Sequence, residues 1–323
     1  MRAPDFWRED NGISRLLEPI GLIYGAVTAR RIARAKPLQA SAPVICVGNL
    51  TAGGTGKTPV AASIAAHLSD RGRSPAILLR GYGGSLKGPV RVSASSHSVD
   101  EVGDEALLHA RHFPTWVSRE RALAAAPAIA GGADVLVMDD GHQHPGLAKD
   151  LSLVVVDGLS GFGNGRMIPA GPLREPVRAG LARADAVVLV GEDPHQIAPR
   201  LSGQLPVLRA HLALGPEWQS LRGQKVVAFA GIGDPDKFFH ALQAVGARLV
   251  AVHPFGDHYG YAAADIQPML DEAYAADAIP VTTVKDAVRL DPDQRQQVNV
   301  LSVTAQWEDL SALDGVLNKA IGG

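Results

Sequence analysis

Short unbroken apolar runs punctuate the chain, and between some of them apolar residues recur with helical spacing. The runs cover 43–48, 76–79, 135–138, 153–156 and 186–190. Runs this short, rich in Val, Ile and Leu and without polar alternation, predict strands covered on both faces. A helical pattern at 60–68 follows the first run, and Ala-rich helical stretches separate some of the others. Strands alternating with helices predict a largely parallel sheet. A second alternating unit starts near Lys225, with strands at 226–230, 249–252, 280–283 and 298–301 and helices near 235–245, 262–276 and 309–321. The polar stretch 215–224 marks the boundary, so two units are expected, 1–220 and 221–323. Ahead of both, residues 14–35 predict a helix with recurring apolar positions, closed by Arg30, Arg31, Arg34 and Lys36.

Composition narrows the class. With 323 residues, 46% of them apolar, the chain has ample material for a core, and a length that suits two domains. The net charge of -2 argues against a nucleic-acid partner. Cys46 is the single cysteine, which excludes an intramolecular disulfide and a Cys-rich zinc site. The mean hydropathy of +0.05 is slightly high for a cytosolic enzyme, yet no stretch is long enough to span a membrane. The uncharged segment near the N-terminus runs only over 19–29, with acids ahead of it and Arg30-Arg31 behind it, unlike a cleaved signal peptide. The first 36 residues nonetheless carry seven Lys/Arg against four Asp/Glu. An apolar helix with basic ends is suited either to lying in a membrane interface or to packing on the main domain.

The chemistry centres on Thr51-Ala52-Gly53-Gly54-Thr55-Gly56-Lys57-Thr58, between a predicted strand and a predicted helix. Glycines let successive N–H groups converge on one centre, which also faces a helix N-terminus, so the segment predicts a phosphate-binding loop. Lys57 is placed to reach the β- and γ-phosphates, and the Thr58 hydroxyl to ligate Mg²⁺. Thr51 stands where the Gly-x-x-x-x-Gly-Lys-Thr pattern begins with Gly. A magnesium nucleotide needs a carboxylate on a neighbouring strand. Asp139 and Asp140 end the 135–138 run, at the sheet edge where open α/β folds bind ligands. Asp140-Gly141 also reads as a simple turn. Asp104 and Glu105 precede a short helical stretch, and His258 sits in a predicted loop, 255–259. Spacing alone does not connect these two groups.

Taken in order, the motifs resemble those of the bacterial tetraacyldisaccharide 4'-kinases. The resemblance covers nearly the whole chain and rests on Val47-Gly48-Asn49-Leu50 entering the loop, Arg80-Gly81-Tyr82-Gly83, Val102-Gly103-Asp104-Glu105, Asp139-Asp140-Gly141-His142-Gln143-His144, Pro169-Ala170-Gly171-Pro172-Leu173-Arg174-Glu175, Phe255-x-Asp257-His258 and Thr283-x-Lys285-Asp286. It implies an α/β fold: a P-loop NTPase core, a smaller C-terminal α/β lobe and an N-terminal amphipathic helix, with the active site between the lobes. It implies transfer of the ATP γ-phosphoryl group to the 4'-hydroxyl of an acylated glucosamine disaccharide 1-phosphate, with ATP and Mg²⁺ as cofactors. Asp104, His258 and Lys57 then match catalytic positions, with Asp104 as base and His258 as its partner. Thr58, Glu105 and Asp139 match the metal site, residues 51–58 with Arg174 the nucleotide site, and Asn49, Arg121, Asp140 and His144 the substrate site. Arg119 is an alternative to Arg121. The implied partner is the acylated disaccharide lipid, reached by peripheral contact of the N-terminal helix with the cytoplasmic face of the inner membrane; no obligate protein partner is implied. His142 departs from the aromatic or aliphatic residue common in the family, and Val284 stands where an acid is common, so neither position inherits a role.

Two other classes fit less well. Membrane-bound ATPase switches of the partitioning type carry an extra Lys early in the loop, where this chain has Ala52. A GTPase metallochaperone would want a Cys/His cluster and Asn-Lys-x-Asp, and the chain has neither.

Overall fold

The computed structural model describes residues 4–322. Its strands are β1 (Val44–Gly48), β2 (Pro75–Leu79), β3 (Val90–Arg91), β4 (Thr115–Val117), β5 (Val135–Asp139), β6 (Leu151–Asp157), β7 (Ala186–Val190), β8 (Val207–Leu214), β9 (Lys225–Ala230), β10 (Arg248–Pro254), β11 (Ile279–Thr283), β12 (Asn299–Leu301) and β13 (Val303–Trp307). One sheet has nine strands in the order β13-β8-β7-β6-β1-β5-β2-β4-β3, the other four in the order β10-β9-β11-β12. The second sheet is parallel throughout, and in the first β3 runs antiparallel to β4 while β4-β2-β5-β1-β6-β7-β8 are parallel.

The α/β expectation with a mostly parallel sheet holds, and β1 shows why its apolar run is unbroken. Ile45 and Val47 pack with Val60, Ile64 and Leu68 of the Lys57–Asp70 helix on one face. Val44 and Cys46 pack with Ala124, Ala125 and Ala128 of the Ala122–Ala130 helix on the other. Alternate side chains point to opposite faces, so a strand covered on both has no polar position.

The chain divides into two compact units: Ala213–Thr304, and the rest of the described residues. This differs from the expected division at 220/221, because the chain returns to the larger unit at Ala305. The Leu310–Ile321 helix buries Leu313, Val316 and Leu317 in the same cluster as Ile45 and Val47. Fully burying a Leu contributes about 1.5–3 kcal/mol, enough to hold this segment to that core. In the smaller unit, Phe238, Phe239 and Leu242 cover one face of the sheet and Ile266, Met269 and Ala273 the other. Residues 1–3 and 323 of the two expected spans lie outside the described residues.

The N-terminal helix is Gly12–Arg34, started by Asn11, whose Oδ1 accepts from the Ser14 N–H at 3.0 Å. Its buried residues are small: Ser14, Gly21, Gly25 and Thr28. A Cβ at Gly21 or Gly25 would collide with Met167, so the glycines bring the helix close to that loop. The large apolar residues point the other way. Ile13, Leu16, Ile20, Ile23 and Val27, spaced by three or four, are 54–79% exposed. No helix among the described residues is long and apolar enough to cross a membrane.

Candidate active site

β1 lies between β5 and β6, where the order of strands reverses, and its C-terminal end opens the site. The β1–β5 register sets Val47 beside Asp139, which puts the two acids next to the root of the glycine-rich loop. The loop then turns into the Lys57–Asp70 helix through Gly56, whose φ of +84° is left-handed backbone that a side chain would oppose. Asn49 fixes the loop from below: its Nδ2 donates to Thr55 Oγ1 at 3.0 Å. Thr51 bridges to Leu173, and the Ala52 N–H donates to Pro172 O at 2.7 Å. The segment preceding Arg174 thus braces the loop, leaving Gly53 and Gly54 at its exposed crown.

Three elements converge on this loop. The Asp104–Ala110 helix carries Asp104 and Glu105 in its first turn. Glu105 Oε1 accepts from Thr58 Oγ1 at 3.5 Å, and the Glu105 N–H donates to Asp104 Oδ1 at 2.8 Å. Asp104 itself is buried. Gly103, at φ +85°, lets this turn pass so close to Tyr82 O that a Cβ would collide with it. That contact explains why the Arg80-Gly81-Tyr82-Gly83 and Val102-Gly103-Asp104-Glu105 motifs occur together.

The second element is the end of β5. Asp139 and Asp140 are neighbours with opposite surroundings. His109 Nε2 donates to Asp139 Oδ2 at 2.9 Å, both side chains being 1% exposed, while Asp139 Oδ1 has no hydrogen-bond partner. Asp140, at φ +54°, turns instead toward cations: Arg174 Nη1 donates to both its oxygens at 3.0 Å, and Lys57 Nζ lies 3.6 Å from Oδ1. Burial alone would raise the Asp140 carboxyl, but Lys57 and Arg174 outweigh it and hold the group well below the usual carboxylate range. The third element supplies Arg121, buried, with Nη2 donating to Asp140 O at 2.9 Å. Of the two alternatives, Arg119 is exposed and Arg121 is the one bonded to Asp140 O.

His144 stands among positive charges. Burial first, then Arg121, Lys149, Arg31 and Arg80, push its imidazole down to about 4, so it is neutral near pH 7. Asn49 Oδ1, Arg121 Nε, Asp139 Oδ1 and His144 Nε2 are all buried without a hydrogen-bond partner. Four of the predicted site residues thus each retain an unmet polar atom, and buried polar atoms are rarely left so unless something else completes them. The donor set fits a magnesium nucleotide: the Thr58 hydroxyl, the Glu105 carboxylate and the unmet Asp139 oxygen. Mg²⁺ takes one or two protein carboxylates and fills its remaining positions with water and phosphate.

His142, to which no role was assigned, is a packing residue. It sits against Gly48, its Nε2 donates to Gly180 O at 3.0 Å, and burial followed by Lys149 and Arg183 lowers its imidazole to about 4. Sequence reasoning missed His109. Its signal is the four-residue step from Glu105, which places both on one side of a helix. His258 belongs to the smaller unit, in a left-handed turn at φ +57°, with Lys285 Nζ 3.4 Å and Asp257 Oδ2 3.7 Å from its Nε2.

Comparison with known proteins points one way. The LpxK family model, described as tetraacyldisaccharide-1-P 4'-kinase, matches residues 13–322. The tetraacyldisaccharide 4'-kinase of Rhodospirillum rubrum is 57% identical over 327 residues, covering 100% of this chain and 99% of its own. That of Paramagnetospirillum magneticum is 53% identical, covering 99% and 98%. Among solved structures, an "apo" form of LpxK from Aquifex aeolicus in complex with ATP superposes with a TM-score of 0.77 at 28% identity, over 96% of this chain and 99% of that one.

Proposed function

Since the chain belongs to the tetraacyldisaccharide-1-P 4'-kinase family, we infer from its site how the residues divide the work. The protein is an ATP-dependent kinase that phosphorylates the 4'-hydroxyl of a tetraacyl disaccharide 1-phosphate in lipid A assembly. The observation that carries the assignment of roles is the convergence of Lys57, Thr58, Glu105 and Asp139, with the unmet Asp139 oxygen, at one sheet edge.

In our reading, the backbone N–H groups of residues 51–58 bind the ATP phosphates and Lys57 bridges the β- and γ-phosphates. Thr58, Glu105 and Asp139 would hold Mg²⁺, which when bound would supply neutralisation of phosphate charge. Asp140 holds Lys57 and Arg174 in place until phosphate competes for them; Arg174 then serves the nucleotide. Asp104 accepts the proton of the 4'-hydroxyl as that oxygen bonds to the γ-phosphorus and the bond from the γ-phosphorus to the β–γ bridging oxygen breaks, releasing ADP, and His258 is assigned to the same proton transfer. Asn49, Arg121 and His144 bind the acceptor, the buried Arg121 cation suiting an anionic substituent. The test is incubation with γ-labelled ATP and a tetraacyl disaccharide 1-phosphate in detergent. Label at the 4'-position is expected, and label elsewhere, or none from folded protein that binds ATP, would overturn the assignment.

Membrane contact is assigned to the Gly12–Arg34 helix. Its small residues face the protein and its exposed Leu16, Ile20, Ile23 and Val27 form the outward stripe, the reverse of a helix serving only as core. Arg30, Arg31, Arg34 and Lys36 add about 1 kcal/mol each near an anionic leaflet. This supports peripheral binding at the cytoplasmic face, where a lipid acceptor is reached without being extracted.

A further inference from the structure

The Thr283-x-Lys285-Asp286 motif has no part in the roles assigned so far, yet its acid sits in a densely bonded polar group of the smaller unit. Asp286 is fully buried. Its Oδ1 accepts from the Gly231 N–H at 2.8 Å and from Tyr261 Oη at 2.7 Å, and its Oδ2 from Thr283 Oγ1 at 2.6 Å. Arg289, 4% exposed, lies 3.3 Å from Asp286 Oδ1. Its Nη1 donates to Gly231 O at 3.2 Å and to Tyr259 O at 3.0 Å. Asp286 and Arg289 therefore grip both ends of residue 231, one its N–H and the other its C=O.

Residue 231 is also where His258 is fastened, for the His258 N–H donates to Gly231 O at 3.1 Å. A left-handed backbone is unfavourable for histidine and persists only where its surroundings over-determine it. Here the surroundings are named: Gly231 O under the His258 N–H, Arg289 on the following carbonyl of Tyr259, and the Tyr261 ring wedged at 5.1–5.6 Å from Phe229, Phe255 and Tyr259. Gly231 has no room for a Cβ, which would stand 2.9 Å from Tyr261 Oη and 3.1 Å from Asp286 Oδ1.

We propose that Asp286 and Arg289 are positioning residues for His258, acting through the Gly231 peptide and the 255–261 loop. The proposal rests on the proton-transfer reading of His258 given above. A loop histidine displaced by even about 1 Å from its working place loses on the order of 10²-fold in rate, so its seat affects kcat rather than substrate affinity.

The test is a double-mutant cycle. Arg289→Gln is expected to lower kcat by about 30-fold with both KM values within about twofold, and to add less than about twofold in the His258→Ala background. Independent, multiplicative losses in the double variant would overturn the seat and leave the role of His258 standing. Full activity in His258→Ala alone would overturn both. Tyr261→Phe removes one hydroxyl from the Asp286 oxygen and serves if Arg289→Gln does not fold. A loss of about threefold in kcat that disappears in the His258→Ala background is expected, and none overturns the proposal. The His258 imidazole resonance, assigned by its absence in His258→Ala, should move in Arg289→Lys; an unchanged resonance counts against the seat.

Discussion

The end of β5 and the Asp286 cluster both place buried acids beside functional loops, but they treat those acids oppositely. At β5, Asp139 keeps one oxygen without a partner, and Asn49, Arg121 and His144 each have an unmet atom. Around Asp286, both carboxylate oxygens accept hydrogen bonds from within the chain. The first arrangement costs stability until a ligand completes it, and the second spends every bond on geometry. In the roles proposed above, the unmet atoms of Asn49, Arg121, Asp139 and His144 are the ones substrate and metal would complete, whereas the unmet Nδ1 of the packing residue His142 shows that such an atom does not by itself mark a site.

The sharpest way to break that distinction is at Asp104. Asp104→Ala should lower kcat by roughly 10³-fold while ATP affinity, measured by calorimetry, stays within about threefold. A small loss of kcat would remove Asp104 from the reaction. Next comes the His109–Asp139 pair. His109→Leu frees Asp139 to rotate, and we expect the apparent Mg²⁺ affinity to weaken by about 10-fold, with Mn²⁺ binding followed by electron paramagnetic resonance in the presence of an ATP analogue. His109→Gln, which keeps a donor, should recover much of it. An unchanged metal affinity in His109→Leu would reduce His109 to packing.

A gentler test uses pH. The folded-state value of His144 is about 4, below the ordinary value of 6.5. The unfolded chain therefore binds the proton first, and His144 lowers stability as pH falls from about 6.5 to about 4, with no effect above that window. His144→Gln should flatten the fall of the melting temperature across that window, and an anionic ligand at the site should do the same for the native protein. Equal slopes would show that acid sensitivity lies elsewhere. The smallest effect on chemistry belongs to the outward stripe. Ile23→Glu should abolish sedimentation with anionic vesicles and leave activity in detergent within about twofold. Retained vesicle binding would send the search for the membrane contact to another surface.

How much of this was legible in the sequence follows from the same physics. The passage from β1 through the glycine-rich loop at 51–58 into the Lys57–Asp70 helix was readable because such a loop imposes residue types at fixed spacing, and the register that sets Asp139 beside Val47 was not. β1, β5, β6 and β7 were readable because strands covered on both faces leave no polar position. β8 and β13 were not: their exposed and buried residues alternate, and Val303–Trp307 reads as a polar tail until its partner strand is known. For the same reason the return of the chain at Ala305 was invisible. His109 was missed because nothing local to its helix shows that it meets β5. The Thr283-x-Lys285-Asp286 motif was visible as a motif, but its purpose depends on residue 231, more than 50 positions away in the chain.

That return has an engineering corollary. β8 and β13 are neighbours in the nine-stranded sheet, and the Glu308 N–H donating to Arg209 O, with His211 beside Gln306, shows them antiparallel. The smaller unit is thus spliced into what would otherwise be a hairpin, a cassette entered and left on adjacent strands. Replacing 213–304 by a two-residue turn should leave a nucleotide-binding host able to fold by itself, and truncation at the C-terminus should damage that host rather than the cassette.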